Sequence, residues 1–264
     1  MSAEDEGRKG SFRRAEFPRS ENYDPDWVLD NMMGPNALWL TESLAACMNL
    51  SPGMRVLDMG CGRGLSSIFL AKEYGLQVWA TDLWIDAGEN LDRIREAGLE
   101  DSVFPIHAEA HVLPFADGFF DAMVSVDAYH YFGTDDLYLQ HHMARLVRPG
   151  GQMGIVVPGL VEELTSDEPP EHLRSYWQPE LFSLHSPAWW KRHWERSGLV
   201  SVERADLVPD GWRLWVASDV LWSERLGKPA DEADMLAVDS GRVLGFTRMV
   251  ARRNDRPTGR LDEL

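Results

Sequence analysis

The sequence predicts an α/β fold: a doubly wound, seven-stranded, mostly parallel sheet under a helical cap from the N-terminus and insertions. Three observations predict it. Between residues 55 and 157, short apolar runs alternate with stretches of helical spacing. The first run passes directly into Gly60-Cys61-Gly62-Arg63-Gly64 and then into a helix, the strand–turn–helix order of nucleotide-binding folds. The length, 264 residues, suits one large domain carrying insertions.

The elements follow in chain order. Residues 1–20 are polar and charged, and a loose arm is expected. Pro25 and Pro35 bracket a short helical stretch. Leu38, Leu40, Leu44 and Met48 recur at helical spacing, so 36–49 reads as an amphipathic helix ended by Ser51-Pro52-Gly53. Arg55 to Met59 is a strand, Leu65 to Tyr74 a helix stopped by Gly75, and Gln77 to Thr81 the second strand. Ile85 to Ala97 is a helix with Gly98 at its end, and Val103 to His107 is the third strand. Phe120 to Val126, apolar at five positions, reads as a strand buried on both faces. Asp135 to Val147 is a helix ended by Arg148-Pro149-Gly150-Gly151, and Gln152 to Val157 is the fifth strand. Ser186 to Ser197 opens on Ser-Pro, a helix start signal. Leu199 to Leu207 is a strand, Trp212 to Leu226 a helix before a polar connector, and Gly245 to Ala251 a last strand, expected antiparallel. The whole of 1–264 is expected to be one domain. Within it, 1–50 would form an arm and lid, 51–159 the cofactor-binding core, 160–184 and 209–242 cap insertions, and 185–208 with 243–252 the remaining core.

Composition narrows the function. The chain has 43 acidic and 26 basic side chains, a net charge of −17. Nucleic acids and anionic membranes both require a basic surface, so neither is an expected partner. An acidic surplus serves solubility and mildly favours cationic ligands. No signal-like segment opens the chain, and no apolar run nears the roughly 20 residues of a spanning helix. Two cysteines, Cys47 and Cys61, make no disulfide framework, and a cytoplasmic protein is expected. His141 and His142 are adjacent, and His107 and His111 straddle a strand end and a loop, so no zinc-type spacing exists and no metal is expected.

The chemistry-bearing stretch is Val56 to Gly64. Glycines in such a turn let the backbone approach a ligand and take φ > 0, and the helix behind it presents free N–H groups. Asp58 stands just before the turn, Asp82 ends the second strand, and Glu109 follows the third. A carboxylate at the second position accepts two ribose hydroxyls at once. All three should converge at the carboxyl edge of the sheet.

These motifs resemble those of class I S-adenosylmethionine-dependent methyltransferases, over roughly residues 53–159. Val56 to Gly64 matches that family's first motif. Glu109-Ala110-His111-Val112-Leu113-Pro114-Phe115 and Leu146-Val147-Arg148-Pro149-Gly150-Gly151 look like segments of its small-molecule branch, which includes ubiquinone, sarcosine, phosphoethanolamine and tocopherol methyltransferases. The resemblance implies a Rossmann-like methyltransferase fold, S-adenosylmethionine as methyl donor (S-adenosylhomocysteine as product) and a small-molecule acceptor. It also implies that Gly60, Gly62 and Gly64, with Asp58 beside them, cradle the methionine part. Asp82 would hold the ribose, Leu83 or Trp84 would flank the adenine, and Glu109-Ala110 would lie along its edge. The family usually has Asp where this chain has Glu109.

Methyl transfer from a sulfonium needs alignment and exclusion of water, and a base only when the nucleophile carries a proton. The end of the fourth strand is the place for such groups. His130 is a candidate base there, with substrate orientation and a structural role as the other readings. Tyr129 is a candidate substrate contact, and Asp127 a candidate for the cofactor ammonium or the substrate. Seven of the eleven tryptophans lie between Trp177 and Trp222, at spacings that fit either core packing or an aromatic acceptor pocket. Tyr23, Trp177 and Trp212 are the substrate-side candidates, and Met32-Met33-Gly34-Pro35 a candidate lid. Two other functions stay open. One is a nicotinamide-dependent oxidoreductase, disfavoured by Leu65 where the dinucleotide fingerprint wants a third glycine. The other is a regulatory protein that binds the cofactor without turnover. The oligomeric state is not encoded in any motif.

Overall fold

The computed structural model describes residues 12–166 and 168–255. Most of the arm expected at 1–20 therefore lies outside the described residues. What is described of it, 12–20, is not loose: Phe12, Phe17 and Ser20 are buried. The cause is Glu42, a buried carboxylate that needs donors. It receives the backbone N–H of Arg19 and both the N–H and hydroxyl of Ser20.

Seven strands form one sheet: β1 (Arg55–Met59), β2 (Gln77–Asp82), β3 (Val103–His107), β4 (Phe120–Val126), β5 (Val147–Leu160), β6 (Val200–Leu207) and β7 (Leu244–Arg253). Their order is β3-β2-β1-β4-β5-β7-β6. Strands β1 to β5 pair in parallel, and β7 is antiparallel to both of its neighbours. The doubly wound, mostly parallel sheet and its reversed last strand are thus as the sequence predicts. Alternate residues of β1 enter opposite cores, Val56 on one face and Leu57 and Met59 on the other.

Helices cover both faces: α1 (Pro25–Asn31), α2 (Ala37–Ala45), α3 (Leu65–Tyr74), α4 (Ala87–Glu96), α5 (Pro187–Glu195), α6 (Gly211–Leu226) and α7 (Asp231–Asp239). Their ends have local causes. Gly75, at φ 66°, closes α3, and the Ser186 hydroxyl receives the Trp189 N–H ahead of Pro187 to start α5.

Four elements depart from expectation. Helix α2 is not amphipathic, because all residues from Leu38 to Ala45 are buried. The helix expected over 135–147 is a π-turn, Leu139–Met143, followed by a 3₁₀ turn, Ala144–Leu146. Its buried residues (Tyr138, Leu139, His141, Met143, Ala144 and Leu146) share no single 3.6-residue face, and the widened turn brings them to the sheet. Strand β5 outruns 152–157, because β7 pairs with it from Gln152 to Leu160. Helix α7 occupies what reads as a polar connector. Its first turn holds Asp231, Glu232 and Asp234, which hide a short apolar set of Ala233, Met235 and Leu236.

Candidate active site

The strand order reverses between β1 and β4, and a crevice must open at their carboxyl ends. A cavity of about 310 Å³ lies there. Its floor is the turn after β1. Gly60 and Gly62 have φ of 73° and 54°, conformations that L side chains rarely adopt. Space forbids a side chain at Gly60 and is tight at Gly62. A Cβ on Gly60 would stand 2.3 Å from the Ala128 Cβ, and one on Gly62 would stand 3.1 Å from the Met33 sulfur.

The turn is held from three sides. Gly60 and Cys61 donate their N–H groups to the Thr81 carbonyl at 2.9 and 3.0 Å. The Asn90 amide donates to the Gly62 carbonyl at 2.9 Å. Asp82 accepts the Gly62 N–H at 2.7 Å on one oxygen, and those of Trp84 and Ile85 at 2.7 and 3.0 Å on the other. Asp82 therefore fastens the turn while facing the cavity.

Of the residues singled out from sequence, Gly60, Gly62, Asp82, Leu83, Glu109, Ala110 and Asp127 line this one cavity. Glu109 is engaged: its carboxylate accepts the His111 N–H and lies 2.5 Å from the His111 Nδ1. Partial burial opposes its ionised form, but the hydrogen bonds from His111 prevail and hold the carboxyl below its ordinary range. Trp84 and Tyr131 are largely exposed, and their rings meet edge to face at 5.5 Å on the cavity wall. Asp127 has φ 57°, and burial, with the charge of Glu232, pushes its carboxyl up to about 8.

Other sequence candidates lie elsewhere, and each displacement has a cause. Asp58 sits behind the turn, wholly buried, accepting the Ser66 and Ser67 hydroxyls at 2.6 Å each. Burial raises its carboxyl to about 6 despite those bonds. It anchors the first turn of α3 and does not line the cavity. Gly64 is the N-cap of α3, at φ 81°, again behind the lining. Tyr129 is fully buried between Trp190 and Trp194, at ring distances of 5.5 and 5.4 Å, so it is a core residue. His130 is buried outside the lining, its Nδ1 without a hydrogen-bond partner among the described residues, and burial lowers its pKa to about 4. That is a weak base in a place the cavity does not reach. Tyr23 packs behind α3 on Phe69, its hydroxyl donating to Glu73. Trp177 packs against Phe182, and Trp212 lies against Gly241, both away from the lining.

The candidate lid segment reaches the cavity: Met33, Gly34 and Pro35 line it, joined by Asn31 from α1. Arg63, Tyr131 and Phe132 also line it and were not singled out. Arg63 was readable, being the cationic side chain inside the glycine turn. Tyr131 and Phe132 follow the residues chosen by one short turn. Among the described residues, no three His, Cys, Asp or Glu side chains are grouped to hold a metal, and no helix is long and apolar enough to cross a membrane.

A doubly wound sheet of this strand order, with a glycine turn and an acid at the next strand end, defines the Rossmann-like class of methyltransferase folds. Residues 56–151 match the family described as a methyltransferase domain. That match covers well under half of the chain, and it takes in β1 to β4, the glycine turn, Asp82 and Glu109. Among curated proteins it is 34% identical over 131 residues to the methyltransferase GfsG of Streptomyces halstedii, covering 48% of this chain and 47% of that one. The chain spans less than half the length of the first curated relatives it matches. Among solved structures, phosphoethanolamine N-methyltransferase 2 of Haemonchus contortus, in complex with S-adenosyl-L-methionine, superposes with a TM-score of 0.67 at 18% identity. That match covers 94% of this chain and 60% of the other. The [4+2]-cyclase SpnF superposes with a TM-score of 0.65 at 20% identity, over 85% and 84% of the two chains. Such neighbours establish the fold and leave the chemistry to the site.

Proposed function

We propose that this protein transfers a methyl group from S-adenosylmethionine to a small-molecule acceptor by in-line displacement. The observation that carries the proposal is the turn after β1. Its two cavity-facing glycines are left-handed, a side chain at Gly60 would collide with Ala128, and Asp82 fastens the turn while lining the cavity. Residues of this kind fit the cofactor. The backbone at Gly60 and Gly62 would run along the methionine part, with Arg63 as the cation for its carboxylate. A carboxylate has about four acceptor sites, so Asp82 retains capacity for a ribose hydroxyl beyond its three N–H donors. Leu83 and Trp84 would flank the adenine, and Glu109 and Ala110 would meet its edge. Asp58 and Gly64 would act indirectly, by fixing the start of α3.

When bound, the cofactor supplies a methyl already activated on a sulfonium. The protein then has to align an acceptor and exclude water. The segment Met33 to Pro35 would do the second, since it packs on the turn itself. Relatives and neighbours named for N-, O- and C-methylation support a small acceptor of open atom type. We also propose that 1–264 works as one domain in the cytoplasm, with 160–184 and 209–242 as its cap, and without nucleic acid or membrane as partner. Calorimetric titration with S-adenosylhomocysteine, with NADH as control, tests the proposal. Micromolar binding of the former is expected, weakened at least about tenfold (about 1.4 kcal/mol) in Asp82→Ala. Binding of NADH alone overturns it in favour of a dinucleotide enzyme.

A further inference from the structure

The sequence offers Asp127 to either the cofactor ammonium or the substrate, and it is the cavity carboxylate to which the cofactor placement above assigns no contact. Asp127 ends β4 in the left-handed region, at φ 57°, a conformation costing on the order of 1 kcal/mol for a residue other than glycine. Its own N–H is spent on the Val156 carbonyl at 2.8 Å, which holds the kink in place. The kink turns the carboxylate toward the lid: a Cβ on Gly34 would stand 2.8 Å from the Asp127 Oδ2. No donor among the described residues is hydrogen-bonded to that carboxylate.

The groups around Asp127 add negative charge. Glu232, on α7, is near enough for its charge to act on Asp127, and it is fixed there by the Trp215 indole N–H at 2.6 Å. Asp219, on α6, lies behind Glu232 and accepts the Ala233 N–H. The Tyr131 phenol feels Asp127, Glu232 and Glu180 together. Glu232, Asp219 and Glu180 all come from segments beyond β5, outside the glycine turn and its neighbours. None of the three lines the cavity; the charge of Glu232 reaches it through Asp127, which does. Tyr131, set edge to face against Trp84, adds an aromatic ring to the same wall, the kind of surface that attracts organic cations. An anionic acceptor would meet repulsion here, and a cationic one would meet its counter-charge.

Resting on the methyl-transfer reading, we infer that the acceptor is a primary or secondary amine, and that Asp127 binds its ammonium form and takes its proton. The ammonium N–H bond breaks and its proton passes to an Asp127 oxygen, leaving the nitrogen lone pair free. That pair forms the bond to the methyl carbon, while the electrons of the S–CH₃ bond stay on sulfur as a neutral thioether. The product leaves as the methylated ammonium, and Asp127 releases its proton to solvent. A carboxyl raised to about 8 by burial and by Glu232 suits a base that must accept from an ammonium near neutral pH.

The test offers the full-length protein, with S-adenosylmethionine, four probes of matched size: phenethylamine, N-methylphenethylamine, phenylacetate and para-ethylphenol. Transfer to the amines is expected. Asp127→Asn should lower kcat/KM for them at least about 100-fold while S-adenosylhomocysteine affinity changes less than about threefold. Glu232→Gln, which keeps Asp127, should move the acid limb of the amine pH–rate profile to lower pH. The inference is overturned if the amines are not methylated, if phenylacetate or para-ethylphenol is preferred, or if Asp127→Asn loses cofactor affinity in step with rate. That last result would assign Asp127 to the cofactor ammonium. Failure of the unaltered protein to bind S-adenosylhomocysteine would instead sink the methyl-transfer reading itself, and the amine with it.

Discussion

Asp82 and Asp127 both stand at the carboxyl edge of the sheet, and both line the same cavity. Their surroundings are opposite. Three backbone N–H groups surround the first, all from residues 62–85. The second has no hydrogen-bond donor among the described residues and an acid from α7 for a neighbour. The first is the product of a local design, in which strand, turn and acid lie within one βαβ unit. The second is made by distant segments meeting over the sheet. A carboxylate held by three N–H groups is a fixed part of a binding surface, whereas a half-buried one without donors costs free energy until a partner arrives. On the proposed assignment, the cofactor half of the cavity would be built before binding, and the acceptor half would be completed by its ligand.

Gly60→Ala should give the largest effect, because it strikes both halves. The new methyl would stand 2.3 Å from the Ala128 Cβ, at a φ of 73°. Neither the turn nor Ala128, the neighbour of Asp127, can remain in place. S-adenosylhomocysteine affinity is expected to fall at least about 100-fold, or about 2.7 kcal/mol, by calorimetry. An unchanged affinity would mean that the turn is not the cofactor's seat. Gly34→Ala separates the halves. Its methyl would meet only the far end of the Asp127 side chain, at 2.8 Å, and φ there is not left-handed. The carboxylate can swing aside, so kcat/KM for the acceptor should drop by about tenfold with cofactor affinity held within about threefold. Equal losses in both quantities would erase the distinction between Asp82 and Asp127.

The same contrast explains what the sequence could reveal. Strands β1 and β4, and helix α3, lie where periodicity, Gly75 and the glycine turn put them, because each depends on residues within a few positions. The cavity-lining members of the cofactor set share that locality. The acceptor side does not. Glu232 lies on a helix whose charged first turn masks it, and its closeness to Asp127 comes from the folding of α7 over the sheet. The tryptophans stay ambiguous for a related reason. Trp190 and Trp194, one helical turn apart, could serve a core or a pocket, and only tertiary packing decides between them. They became the walls around Tyr129, and in doing so removed Tyr129 from the site.

The smallest effect is expected where sequence and structure differ most. Tyr129 stands two residues beyond Asp127 and was the natural substrate contact, yet its ring is enclosed by Trp190, Trp194 and Tyr138. Among the described residues its hydroxyl has no hydrogen bond of good geometry, and the Trp194 indole N–H beside it has none either. Burial drives the phenol pKa far up, so no phenolate forms at working pH. Tyr129→Phe removes one atom that contributes no bond and preserves every ring contact. Stability should change by no more than about 1 kcal/mol in chemical denaturation, because an unpaired buried hydroxyl stabilises nothing. Turnover with the accepted substrate should stay within about twofold. A loss of ten-fold or more in kcat, at unchanged stability, would show that the hydroxyl reaches the cavity in the working enzyme. The acceptor side would then be assembled by a motion of the turn after β4, and Asp127 would have to be reconsidered along with it.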